Sequence, residues 1–124
     1  MTAAWFHRLT NRDRAPAPGR VDARQAYENL YADKRALIVD VREPSEWEET
    51  GVPRRSLLIP LGQLEERVDQ IARGRPVYTI CRSGNRSMVA AKKLVKLGYT
   101  EVNSIDGGIR AWIAAGLPVK KYKR

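Results

Sequence analysis

Short, largely apolar runs at residues 37–41, 57–59 and 77–80, and a fourth segment at 102–105 bounded by Val102 and Ile105, alternate with segments whose apolar residues recur at helical spacing. Each run is too brief for a buried helix and rich in strand-forming residues, so each reads as a strand. Asp22-Ala23-Arg24-Gln25 has the pattern of a capping box and opens a helix through Tyr31. Residues 44–48 suggest a short helix. Leu64, Val68 and Ile71 share one face of a helix expected over 61–71. Met88, Ala91, Leu94, Val95 and Leu97 predict another over 87–97, stopped at Gly98, and residues 109–115 form the last. Alternation of this kind predicts an α/β fold, a doubly wound and mainly parallel sheet with helices on both faces. The near-continuous apolar run 37–41 suits the centre of such a sheet. A chain of 124 residues, 43% apolar, fits one domain with a real core. Ala15-Pro16-Ala17-Pro18-Gly19 marks residues 1–20 as an irregular basic arm, leaving 21–119 as the folded unit and 120–124 as a basic tail.

The chemistry concentrates in Cys81-Arg82-Ser83-Gly84-Asn85-Arg86-Ser87, which directly follows the strand 77–80. A strand delivers a thiol into a short loop that opens a helix. Gly84 permits backbone angles that a side chain would forbid. Successive loop amides can converge into an anion-binding nest, and the following helix turns its positive end to the same spot. A free cysteine titrates near pH ~8.5, and helix N-termini and cationic neighbours lower this to roughly 3.5–7.5. Cys81 is therefore expected to be largely thiolate at neutral pH. A lone cysteine is more often a small buried hydrophobe. Here the glycine and the two flanking arginines favour the reactive reading. In open α/β sheets the ligand site lies at the C-terminal edge of the strands, and Asp40, Cys81 and Asp106 all end strands on that edge.

Absences narrow the mechanism. His7 is the single histidine and lies in the basic arm, so a Cys–His dyad is not expected. Cys81 is the single cysteine, which leaves no internal resolving thiol and no cysteine knuckle for a metal. No metal or cofactor is expected, and any sulfur chemistry at Cys81 must hand its product to an external acceptor. The net charge of +9 is uneven: residues 1–20 carry +3 and residues 118–124 carry +4, leaving +2 between them. Basic ends can bind nucleic acid, but no nucleic-acid motif accompanies them, so they read as solvated tails. No stretch of about 18 apolar residues predicts a membrane span. The N-terminus lacks the roughly 7–15-residue apolar run of a secretory signal. With one reactive cysteine, these features lead to an expectation of a cytoplasmic protein.

The loop at Cys81 resembles the active-site loop of rhodanese-like sulfurtransferases, the thiosulfate sulfurtransferase family. Other motifs similar to that family's occur in order. Leu37-Ile38-Val39-Asp40-Val41-Arg42-Glu43-Pro44 resembles its strand ending in Asp-Val-Arg-Glu, with Glu46-Trp47 following. Leu57-Leu58-Ile59-Pro60 resembles its proline-capped apolar strand. Asp106-Gly107-Gly108-Ile109-Arg110-Ala111-Trp112 and Gly116-Leu117-Pro118-Val119 resemble its C-terminal signature. The resemblance covers residues 21–119. One segment departs from it. Thr50-Gly51-Val52-Pro53-Arg54-Arg55-Ser56 lacks the histidine of the family's Gly-His-Ile-Pro-Gly and carries two arginines instead.

The resemblance implies a role for each residue. Cys81 is the nucleophile that takes sulfur from a small anionic donor such as thiosulfate, becomes a persulfide, and yields the sulfur to cyanide, a thiol or an acceptor protein. The amides of Arg82, Ser83, Gly84, Asn85, Arg86 and Ser87 stabilise the anionic sulfur. Arg86 binds the donor's oxyanion or locks the loop. Arg82 stands at the rim or points to solvent, and Ser83 and Asn85 hydrogen-bond the loop backbone. Asp40 and Arg42 are supporting residues, Asp40 bonding the loop and Arg42 pairing with Glu46. Trp112 belongs to the core, and Gly107 and Gly108 to a tight turn. Arg54, Arg55 and Arg82 form a basic rim. Outside the resemblance, Trp5 and Phe6 in the arm could dock on the domain or on a second chain. A non-catalytic binding module is an alternative. A phosphatase or arsenate reductase is another, although dual-specificity phosphatases of this fold place one residue more between cysteine and arginine than the four found here.

Overall fold

The computed structural model describes residues 17–123. Most of the basic arm, with Trp5, Phe6 and His7, lies outside them, as does Arg124. In chain order the strands are β1 (Gly19–Val21), β2 (Leu37–Asp40), β3 (Val52–Pro53), β4 (Ser56–Leu58), β5 (Val77–Ile80), β6 (Val102–Ile105) and β7 (Val119–Lys120). The helices are α1 (Ala23–Ala32), α2 (Pro44–Thr50), α3 (Asn85–Lys96) and α4 (Gly108–Ala114). Five strands form a parallel sheet in the order β1-β6-β5-β2-β4, and β3 and β7 form a small antiparallel pair. This is the doubly wound α/β fold expected from the alternation of elements.

Strand geometry divides the core into two layers. Side chains alternate between sheet faces, so neighbouring residues serve different cores. Val39, Val77 and Val102 pack with Leu64, Ile71 and the α3 residues Ala90, Ala91 and Leu94. Ile38, Tyr78, Ile80 and Ile105 pack with Leu30 of α1 and with Ile109 and Trp112 of α4. Trp112 is a core residue, as expected, and its indole N–H donates to the Pro118 carbonyl at 2.9 Å. All four residues of β5 are buried between β2 and β6, which makes the strand leading to Cys81 among the best-fixed parts of the sheet. Among the described residues, no helix is long and apolar enough to cross a membrane.

Three segments differ from the expected elements. Lys120, read as the start of the basic tail, belongs to β7 and pairs with Val52 of β3, in a two-residue antiparallel pair too short to carry an apolar pattern. Gly19 and Arg20, read as irregular arm, belong to edge strand β1, which pairs with β6 in the register Gly19↔Asn103. The strand is short and its first two residues are exposed, so it carries no apolar pattern. Residues 61–71 do not form one helix. They make two 3₁₀ turns, Leu61–Gln63 and Val68–Gln70. Leu64 and Ile71 are buried on the predicted face. However, the Tyr99 hydroxyl donates to the carbonyls of both Val68 and Ile71, and Arg67 donates to the Leu58 carbonyl and to the side chains of Gln63 and Gln70. These tertiary partners satisfy the segment locally, so its polar groups do not need a continuous helical ladder.

The C-terminal end of β2 is fixed by a buried ion pair. Asp40 and Arg42 are 0% and 1% exposed. The Asp40 carboxylate accepts from Arg42 Nη2 at 2.8 Å, from its Nε at 3.0 Å and from its backbone N–H at 3.1 Å. The remaining guanidinium hydrogens reach Thr50 Oγ1 at 2.9 Å and the Gly51 carbonyl at 3.0 Å. Two expectations are corrected here. Asp40 bonds Arg42 rather than the Cys81 loop, and Arg42 meets the backbone carbonyl of Glu46, not its carboxylate. A fully desolvated carboxylate takes the strongest donor within reach, and that donor lies two residues along the chain. Removing one member strands a buried charge. Arg42→Met is expected to destabilise the fold by about 3–5 kcal/mol, read as a lower urea midpoint with an unchanged slope.

Candidate active site

Cys81 follows the last residue of β5 and is 1% exposed, packed in the α3-side core. Gly84 precedes α3 with φ 119°, a left-handed conformation that suits glycine. That turn folds the loop back on the sulfur. The Gly84 N–H donates to Cys81 Sγ at 3.1 Å, and Ser87 Oγ lies 3.4 Å from Sγ. Ser87 is buried, and its hydroxyl lies 2.8 Å from Ser104 Oγ and 3.1 Å from the Gly84 carbonyl. With the thiol protonated, Sγ–H donates to Ser87 Oγ and the Ser87 hydroxyl donates to the Gly84 carbonyl; for the thiolate the Ser87 proton turns from that carbonyl to the sulfur, and Ser104, on β6, can donate to Ser87. The Thr79 hydroxyl donates to the Ser87 carbonyl at 2.7 Å and fixes the first turn of α3.

These contacts set the ionisation of Cys81. Burial pushes the thiol up. Hydrogen bonds from the Ser87 hydroxyl and from the backbone N–H groups of Ser87, Gly84 and Ser83 outweigh burial, and the thiol is held below its ordinary value. Donors aimed at the sulfur favour the charged form. Hydrogen bonds, rather than the arginine charges stressed by the sequence, are the main stabilising cause.

The backbone behind the loop is held by α4. Its Ile109 N–H donates to the Cys81 carbonyl at 2.8 Å, and its Arg110 N–H to the Arg82 carbonyl at 3.3 Å. A Cβ at Gly108 would lie 2.3 Å from the Cys81 carbonyl oxygen and 2.6 Å from the Arg82 carbonyl, so only glycine allows this approach. The Gly-Gly turn therefore does more than reverse the chain.

Arg86 makes a bidentate pair with Glu46 of α2, at 2.7 and 2.8 Å. The Arg86 hydrogen bonds are the main cause that lowers the Glu46 carboxyl to about 2, against a smaller upward push from burial. Glu46 also accepts from the Glu43 N–H at 3.1 Å, so the same carboxylate closes the N-terminal turn of α2. Arg82, Ser83 and Asn85 are exposed. The expected side-chain bonds from Ser83 and Asn85 to the loop backbone are not made among the described residues, because both side chains turn outward.

The expected basic rim is only partly present. Arg55 donates to the carbonyls of Leu30, Lys34 and Ala36 at 3.0–3.2 Å. These groups flank the start of β2, and Arg54 and Arg55 precede β4, so both arginines stand at the N-terminal edge of the sheet, opposite Cys81. They line a cavity of about 240 Å³ with Tyr27, Tyr31 and Trp112. Parallel strand direction alone imposes this separation. Glu46 and Ser104 are the site residues that sequence reasoning missed. Ser104 could have been found as a polar residue at an inward position of an apolar strand, whereas Glu46 was assigned to the wrong arginine.

The family model of the rhodanese-like domain matches residues 3–115. A sulfurtransferase of Allochromatium vinosum is 34% identical over 80% of this chain and 92% of its own. The thiosulfate sulfurtransferase GlpE of Vibrio cholerae is 32% identical over 81% of this chain and 91% of its own. A rhodanese-related protein from Thermoplasma volcanium superposes with a TM-score of 0.75 at 35% identity, covering 84% of this chain and 99% of that one. The chain belongs to the rhodanese-like domain family, among relatives named as sulfurtransferases.

Proposed function

We propose that this protein transfers a sulfane sulfur from thiosulfate, or a similar anionic donor, to a nucleophilic acceptor through a persulfide on Cys81. The observation that carries the reading is the cradle around Sγ: the Gly84 amide donates to it at 3.1 Å, Ser87 Oγ lies 3.4 Å away, and these groups with the neighbouring loop amides lower the thiol despite its burial. The likeness to a thiosulfate sulfurtransferase supports the donor.

In the first half-reaction the Cys81 thiolate attacks the outer sulfur of thiosulfate. A new S–S bond forms at Cys81, the sulfur–sulfonate bond breaks, and sulfite leaves with its electron pair. The persulfide then carries the negative charge on its outer sulfur, and the loop amides stabilise it as an oxyanion hole stabilises oxygen. In the second half-reaction cyanide or a thiol takes the outer sulfur and the electron pair returns to Cys81 as thiolate. Arg86 acts by locking the loop to α2 through Glu46, and Asp40 and Arg42 hold the strand end beneath it. The single cysteine makes the acceptor external by necessity. A cytoplasmic location remains part of this proposal, consistent with one unpaired thiol.

Intact mass spectrometry tests the core of the proposal. The reduced protein gains one sulfur atom on incubation with thiosulfate and loses it on addition of cyanide, and Cys81→Ser shows no gain. Absence of the adduct would overturn the thiosulfate reading. Alkylation rate against pH reports the thiol. Its midpoint is expected below the ~8.5 of a free cysteine, and Ser87→Ala raises it by about one unit, the worth of one hydrogen bond to a charged group. An unmoved midpoint would remove Ser87 from the stabilising set. Glu46→Gln weakens the partner of Arg86 and lowers kcat/KM by roughly ten- to a hundredfold through misplacement of the loop. The carboxyl of Glu46 is depressed, so its stabilising contribution is full above the unfolded value near 4.5 and is lost as pH falls toward 2. Acid unfolding of the Gln variant lacks that component.

A further inference from the structure

The charges around the Cys81 loop are mostly spent on one another. Arg86 is held by Glu46, and Arg42 by Asp40. Arg82, Arg110 and Glu49 are different, because their side chains make no hydrogen bond or ion pair among the described residues. All three line one cavity of about 190 Å³, together with Thr50 and Ile113. Ile113 is 45% exposed, an apolar wall open to solvent. The cavity abuts the loop. Arg82 directly follows Cys81, the Arg110 N–H donates to the Arg82 carbonyl, and Glu46 lines the cavity while gripping Arg86 in the loop.

The charge pattern discriminates among ligands. Two free cations beside one free carboxylate do not suit a simple dianion such as thiosulfate, which Glu49 would repel. A neutral thiol would leave all three charges without partners. A group with one carboxylate and one ammonium satisfies them together, the carboxylate at the guanidinium groups in the planar geometry arginine favours. The volume lies below the ~300–1,000 Å³ of pockets that enclose drug-sized ligands, and suits an amino-acid head.

We propose that this cavity receives the amino-acid head of a zwitterionic thiol acceptor, with its carboxylate at Arg82 and Arg110 and its ammonium at Glu49. The inference rests on the Cys81 persulfide reading and names the acceptor class for the same site. The acceptor's thiolate attacks the outer sulfur of the persulfide. The new S–S bond forms on the acceptor, the bond to Cys81 Sγ breaks, and the electron pair returns to Cys81 as thiolate. The transferred sulfur keeps its negative charge and leaves as the terminal sulfur of the acceptor's persulfide anion. Arg82, Arg110 and Glu49 determine acceptor specificity and take no part in bond breaking.

Stopped-flow discharge of the persulfidated protein tests this. Cysteine, N-acetylcysteine, cysteine methyl ester and 2-mercaptoethanol are compared at equal thiolate concentration, with cyanide as an acceptor that lacks a head group. Cysteine is expected to outpace 2-mercaptoethanol by about tenfold, the equivalent of one hydrogen bond to a charged group. The methyl ester, which lacks the carboxylate, loses most of that advantage. Arg110→Ala brings the ratio of cysteine to 2-mercaptoethanol close to one, and Glu49→Gln narrows the gap between cysteine and N-acetylcysteine. Equal discharge by all thiols in the native protein, or a ratio that survives Arg110→Ala, overturns the acceptor assignment while cyanide discharge leaves the persulfide reading standing. If no persulfide forms on Cys81 from any donor, both fall together.

Discussion

The setting of the Cys81 sulfur depends on how closely α4 approaches the loop that carries it. The loop backbone must present its amides inward to the sulfur, which turns the carbonyls of Cys81 and Arg82 outward. Those carbonyls would lie unsatisfied in a partly dehydrated place without a partner. The first amides of α4 supply it, and Gly108 is the residue that lets them come within hydrogen-bond distance. The same contact joins β6 and its following turn to the end of β5. Loop conformation, helix position and strand order are therefore one constraint, satisfied at one residue without a side chain.

Within that frame the ionisation of Cys81 is a contest between two effects of burial. Removing the thiol from water disfavours its anion, yet the low-dielectric surroundings strengthen every hydrogen bond aimed at it. The outcome is set by how many donors converge. Gly84 contributes through its left-handed backbone, and Ser87 through a hydroxyl that turns from the Gly84 carbonyl to the anionic sulfur. The arginines act at one remove. Arg86 is spent on Glu46, so its contribution is to hold the first turn of α3 against α2. A site can be read as electropositive from its residues and still owe its anion stability mainly to neutral N–H and O–H dipoles.

The parts legible in the sequence were those governed by local patterns. The buried strand of residues 77–80, the glycine in the loop and the helix after it all follow from period and backbone preference, and the doubly wound order follows from their alternation. What escaped was set by partners far apart in the chain. Glu46 and Arg86 are 40 residues apart, and nothing at either position distinguishes this pairing from Glu46 with Arg42. The spacing of Leu64, Val68 and Ile71 fits a helix and a pair of turns equally well, and Tyr99 decides between them. β1 has no apolar signature because it is a short edge. Charge alone groups Arg54 and Arg55 with Arg82, but their position before β4 puts them at the far edge of the sheet.

The two ion pairs that flank the loop differ in kind, and the difference explains why α2 is so placed. Asp40 and Arg42 are dehydrated, so their attraction is offset by the cost of leaving water, and they contribute specificity through multiple directed hydrogen bonds more than net stability. Glu46 and Arg86 are partly exposed, at 23% and 35% of their side-chain area, and solvent screens their attraction. Yet both pairs converge on α2: Arg42 binds its Thr50 side chain and the Glu46 carbonyl, while Arg86 binds the Glu46 carboxylate. A seven-residue helix is too short to be stable on its own propensity. It stands because one arginine grips its backbone from the β2 side and another grips its side chain from the loop. The loop is thus referenced to β2 through α2, and to β6 through α4, and the sulfur sits between two independently anchored helices.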